Sequence, residues 1–110
     1  MEFKEYQEKT ATTAIYPGRG TLTGVLYTAL GLGETGEVQG KVKKILRDSN
    51  GVISPETVVA IKGELGDCLW YISQLCSELG LDLGTVAQEN IQKLADRAAR
   101  GVLKGNGDNR

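Results

Sequence analysis

The chain has 110 residues, 40% of them hydrophobic and 25% charged, with a formal net charge of −1. That describes one globular domain whose near-neutral total supplies no broad attraction to nucleic acid or to an anionic membrane. There is no histidine, which excludes His-based acid–base chemistry, Ser-His-Asp and Cys-His arrangements and the common zinc sites, and leaves oxygen ligands for any metal, favouring Mg²⁺ or Mn²⁺.

The opening "MEFKEYQEKT" is charged and polar and does not read as a signal peptide. No apolar run approaches the ~20 residues that span a bilayer, so a cytoplasmic protein is expected. Phe3, Tyr6, Thr10 and Ala14 at helical spacing predict a first helix over residues 2–16, broken by Pro17-Gly18-Arg19-Gly20. Residues 21–48 are ambiguous at first. "GVLYTALGLG" suits a strand or a helix, because each glycine costs a helix about 1 kcal/mol, whereas "VKKILRD" continues a helix from Glu37 with Val38, Val42, Ile45 and Leu46 on one side. Asp48-Ser49-Asn50-Gly51 is a turn.

The clearest helix follows. Ser54 is placed to cap it and Pro55 suits its first turn, while Val58, Ile61, Leu65, Leu69, Ile72, Leu75, Cys76 and Leu79 form its apolar stripe. Gly80 ends it, and Asp82 is placed to cap a last helix through Val86, Ile91, Leu94, Ala95 and Ala98. Cys68 and Cys76 stand eight apart on one helix, about 12 Å between Cα atoms, too far for a disulfide, so they are expected to be buried small hydrophobes. Residues 1–104 form the domain and 105–110 a C-terminal tail.

Within residues 31–37, "GLGETGE" satisfies two patterns. Gly31, Gly33 and Gly36 spell the G-x-G-x-x-G of dinucleotide-binding turns, and Glu34 and Glu37 form E-x-x-E. The glycine pattern requires a strand before it, a second parallel strand after it and an acidic residue about 20 positions on. Twenty positions from Gly36 is Glu56, at a helix start, and no further β-α-β alternation follows. The carboxylate pattern gains support from Glu64 and Asp67 in "KGELGDCLWY", a second i, i+3 acidic pair at the edge of the apolar stripe. If the two helices pack antiparallel about the turn near Asn50, four carboxylates converge. Their mutual repulsion calls for protonation or a divalent cation. Gly33, Gly36, Gly40, Gly63 and Gly66 are expected to let helix backbones approach closely around that site and to leave room for a ligand.

E-x-x-E, 26 residues, then E-x-x-D resembles the signature of the MazG-type all-α nucleoside triphosphate pyrophosphohydrolases (the MazG-like and dimeric dUTPase-like superfamily). "ALGLGETGEVQGKVKK" and "GELGDCLWYISQL" resemble that family's two metal-binding helices, and "NIQKLADR" its N-x-x-K-L-x-x-R element, so the likeness runs from about Phe3 to Arg97. Thr35 stands where members more often have alanine or glutamate, and the spacing between the acidic pairs is at the long end of the family range. The resemblance implies a four-helix-bundle-like fold assembled as a homodimer or homotetramer. It implies Mg²⁺-dependent cleavage of a (d)NTP between the α and β phosphates to (d)NMP and pyrophosphate, as in nucleotide-pool housecleaning. Glu37, Glu64 and Asp67 are then metal ligands, and Glu34 is a ligand or the group that orients the attacking water. By the same resemblance Asn90 contacts the nucleoside or the metal–phosphate assembly, and Lys93 and Arg97 hold phosphate. Trp70 and Tyr71 are candidates to border the base pocket, although a lone Trp beside an apolar stripe is more often core or an oligomer interface. Lys41 and Lys44 rank below these as phosphate contacts, since "KVKK" is more often surface.

Competing readings are fewer. A ferritin-like di-iron bundle needs E-x-x-H pairs, which a chain without histidine lacks. The alternatives kept are a catalytically inactive nucleotide-binding homologue and a helical protein-interaction module; the second leaves four converging acids unexplained.

Overall fold

The computed structural model describes residues 1–107. They form five α-helices, α1 (Phe3–Ala11), α2 (Leu22–Gly31), α3 (Thr35–Asp48), α4 (Pro55–Glu78) and α5 (Leu83–Ala99), with one 3-10 turn at Leu32–Glu34 and no strand among the described residues. The architecture is therefore all-α. Residues 21–48 resolve as two helices divided by the 3-10 turn, so four expected helices become five segments.

The first helix is shorter than the periodicity predicts. Thr12 and Thr13 donate their hydroxyls back to the Lys9 and Thr10 carbonyls, at 2.6 and 3.2 Å, and end the helix in competing local bonds. Beyond them the chain runs without regular structure to Thr21. The other boundaries follow the predicted signals. Ser54 Oγ accepts the Thr57 N–H at 3.1 Å and Asp82 Oδ2 accepts the Thr85 N–H at 2.8 Å, each satisfying a donor that a helix start leaves free. Gly80, at φ +69°, takes the left-handed conformation that closes α4.

α4 is the hub: α1, α2, α3 and α5 all pack on it. Its 24 residues give about 36 Å of helix, enough to offer a different side to each neighbour. Both cysteines lie on it, free and buried, and burial raises the Cys76 thiol above its ordinary pKa. The predicted apolar stripe divides in two. Cys76 is covered within the chain, with Ile61, Leu69 and Leu75 partly so, while Val58, Leu65, Ile72 and Leu79, spaced seven apart, stay 54, 55, 38 and 53% exposed.

The glycines also act differently from expectation. An ideal Cβ at Gly33, Gly36, Gly40, Gly63 or Gly66 would meet nothing within 4 Å, so none of these five permits a close backbone approach within the chain. Gly31 does: a Cβ there would lie 2.2 Å from two carbons of the Tyr71 ring. Gly31→Ala is therefore expected to destabilise the fold by about 1–3 kcal/mol through overpacking, whereas Gly40→Ala, in an open mid-helix position, should stabilise it by up to about 1 kcal/mol. Urea unfolding of both variants checks the contrast; equal effects would show that Tyr71 yields without cost.

Candidate metal centre

The site is assembled where α2 ends and α4 passes. Tightening to 3-10 geometry at Leu32–Glu34 brings Glu34 round to α4, and α4 presents Glu64 and Asp67 one turn apart. One carboxylate oxygen from each of Glu34, Glu64 and Asp67 lies within 4.8 Å of the others. Glu34 and Glu64 are half-buried and Asp67 is exposed. Glu37, at the start of α3, is exposed and stands outside this converging group. Sequence spacing predicted four acids together; the structure brings three.

Lys41 on α3 places Nζ 3.6 Å from Glu64 Oε1, partial compensation for three like charges. The donor set fits a hard divalent cation: it is all oxygen, two of its members are shielded from bulk water, and the three can be spanned by one ion. The three acids converge from two segments distant in sequence, Glu34 from the 3-10 turn and Glu64 with Asp67 from α4.

Beside the carboxylates is a cavity of about 400 Å³ lined by Thr13, Glu34, Asp67, Trp70 and Tyr71, within the range of small-molecule pockets. Trp70 packs edge-on to Tyr71, centroids 5.2 Å apart and planes at 86°. Its indole N–H donates to Thr13 Oγ1 at 2.9 Å. The Tyr71 phenol is raised above its ordinary pKa of 10.0, first by burial, then by Tyr27, then by the charges of Glu34 and Asp67. Burial and the Asp67 charge raise Tyr6 likewise. Both phenols thus remain protonated donors at neutral pH.

Trp70 and Tyr71, candidates from the sequence, both line the cavity, and Thr13 joins them from a segment that periodicity assigned to the first helix and that is irregular in the structure. Asn90 and Lys93 line a separate depression with Val86 and Glu89, and Arg97 is 4% exposed, so none of the three lines the acidic cavity within one chain. Lys44 lines a third depression with Lys41, Asp48 and Glu56 among others. No helix among the described residues is long and apolar enough to cross a membrane.

Carboxylates converging from a helix junction and a long helix, with an aromatic-walled cavity beside them, define a helical protein with a candidate metal-dependent site. The chain belongs to the MazG nucleotide pyrophosphohydrolase domain family, whose model matches residues 23–101. It is 50% identical over 114 aligned residues to the Gene 37 protein of Mycobacterium phage L5, covering 100% of both chains. No solved structure matches it.

If the three acids hold a cation, Mg²⁺ at a hundredfold excess over its Kd should stabilise the fold by about 2.7 kcal/mol, seen as a rise in Tm. Glu64→Gln and Asp67→Asn should abolish the rise. An unchanged Tm over millimolar Mg²⁺ and Mn²⁺ would remove the metal assignment.

Proposed function

We propose that this protein is a Mg²⁺-dependent nucleoside triphosphate pyrophosphohydrolase that converts a (d)NTP to (d)NMP and pyrophosphate. The observation that carries the reading is the convergence of Glu34, Glu64 and Asp67 beside the Trp70–Tyr71 cavity in a chain of the MazG family. Bound Mg²⁺, or Mn²⁺ in its place, would neutralise charge on the phosphate oxygens. Glu34, Glu37, Glu64 and Asp67 are the residues proposed to hold it. Glu37 enters the set by the family spacing, and Glu34 serves as ligand or as the group that orients the attacking water. As water bonds to phosphorus, a carboxylate accepts its proton, the α–β anhydride bond breaks and pyrophosphate leaves.

Trp70 borders the nucleoside. Asn90, Lys93 and Arg97 are proposed to hold the phosphates, which in this reading requires α5 of a neighbouring chain to approach the carboxylates and, for Arg97, a side chain that is 4% exposed in its own chain to turn outward. A homodimer or homotetramer is therefore part of the proposal, and the surface supports it. The accessible area is 7788 Å², about 1,900 Å² above the roughly 5,900 Å² expected of a compact chain of 11.8 kDa. That excess is what an obligate homodimer buries per subunit, about 1,000–2,500 Å². The Val58–Leu65–Ile72–Leu79 row on α4 and the exposed Leu22, Leu26 and Leu30 on α2 are the surfaces offered for it. Nucleotide-pool housecleaning in the cytoplasm is the biological role that suits this activity.

Incubation with each ribo- and deoxynucleoside triphosphate and Mg²⁺, with products separated, tests the chemistry. Monophosphate and pyrophosphate are expected. Diphosphate and orthophosphate would place the cleavage elsewhere, and triphosphate binding without turnover would leave the inactive-homologue reading. Glu64→Gln and Asp67→Asn should each lower kcat/KM at least a hundredfold, about 2.7 kcal/mol or more of transition-state stabilisation, with helical circular dichroism retained. In light scattering the active species should be a dimer or tetramer, and Leu65→Glu with Ile72→Glu should shift it towards monomer. A fully active monomer would overturn the assembly.

A further inference from the structure

Eleven residues beyond Asp67 on α4, Glu78 makes contacts that the proposed chemistry does not use. Its carboxylate accepts the Tyr16 hydroxyl at 2.5 Å and the Gly20 backbone N–H at 3.0 and 3.2 Å. Both partners lie in the irregular segment that joins α1 to α2. An ideal Cβ at Gly24 would stand 2.7 Å from the same carboxylate and 2.6 Å from the Gly18 carbonyl. The first turn of α2 therefore closes over this junction and leaves no room for a side chain.

The contacts have a direction. The Tyr16 hydroxyl donates its hydrogen bond to the Glu78 carboxylate, and its oxygen accepts from Gln74 Nε2, at 3.1 Å. The Gln74 amide is thereby oriented, and its Oε1 faces the Thr10 hydroxyl at 2.9 Å. Gln74 is 1% exposed, and Thr10 and Ser73 beside it are buried. In such surroundings every link is costly to leave unmade.

The segment held in this way also forms part of the cavity. Thr13 accepts the Trp70 indole N–H. Tyr16 stacks on Tyr27, centroids 5.3 Å apart and planes at 9°, and meets Trp70 edge-on at 6.1 Å and 88°. We propose that Glu78 is a positioning residue: by holding Tyr16 and Gly20 it fixes the α1–α2 segment so that Thr13 and Trp70 form the nucleoside-side wall of the pocket. The inference rests on the proposed function for what the pocket binds, but not for the wall itself. Glu78 touches no substrate in this scheme.

Trp70 is the chain's one tryptophan, so its fluorescence reports on the wall directly. Glu78→Gln removes the charge at constant shape, Tyr16→Phe removes the proton that the charge orients, and Thr13→Val cuts the last link to the indole. In each, Trp70 emission should move to longer wavelength and acrylamide quenching should rise, with helical circular dichroism and the Mg²⁺-induced rise in Tm retained. KM for the triphosphate turned over best should rise about tenfold, the loss of one hydrogen bond to a charged group, with kcat within about threefold. Wild-type emission and quenching in both Glu78→Gln and Tyr16→Phe would overturn the proposal, most clearly where Thr13→Val still alters them. So would a loss of kcat at unchanged KM. If Glu78→Gln fails to fold, Tyr16→Phe decides. If the wild-type protein hydrolyses no triphosphate, the functional reading fails, and Trp70 emission still decides the role of Glu78.

Discussion

The contact between Tyr71 and the bare backbone of Gly31 governs the rest of the site. With no Cβ in the way, the Tyr71 ring occupies space that any other residue at 31 would fill, and α2 comes down against α4 one turn past Asp67. The chain then enters the 3-10 turn, and Glu34 at its end reaches the side of α4 that carries Glu64 and Asp67. Moving α2 outward by the radius of a methyl group would carry Glu34 with it. A metal site tolerates little of that, since ligand distances to a small cation are held within a few tenths of an ångström.

α4 separates two tasks by angle. At 100° per residue, Asp67 lies half a turn round from Val58, and Leu65, Ile72 and Leu79 stay near Val58 because a seven-residue step drifts only about 20°. Glu64 lies about a third of a turn from Val58 on the side towards which the row drifts, so the acidic side and the open apolar row diverge by roughly 120° rather than facing opposite ways. The same division explains why the chain buries so few large apolar side chains on its own, and why a polar group, Gln74, is among its most completely buried.

The parts of this organisation legible in the sequence are those written as period or punctuation. Ser54, Asp82 and Gly80 marked helix ends because capping is local chemistry, and Glu64 with Asp67 marked the site because i, i+3 spacing on a helix leaves no freedom about which way two side chains point. Glu37 shows where that logic stops. The same spacing from Glu34 aligns two carboxylates only if both lie in one regular helix, and the 3-10 turn ends between them. The division of the α4 stripe was equally invisible, since period records which residues share a side but not which partner covers it. Periodicity put Thr13 and Tyr16 in the first helix, which ends before either of them. Their positions are set by bonds to Trp70 and Glu78, more than 50 residues away in the chain.

That difference in origin has a functional consequence. The carboxylates on α4 are held by a backbone ladder that hardly depends on which side chains surround it. The opposite wall is held by a few side-chain hydrogen bonds, each worth about 1 kcal/mol net and more where a charge takes part. Substitutions in residues 12–21 can therefore reshape the space beside the acids at modest cost while leaving the acids where they are. The acidic cluster and the shape of the cavity beside it are in this way carried by separable parts of the fold: the first by the 3-10 turn and α4, the second by a segment whose conformation depends on Glu78.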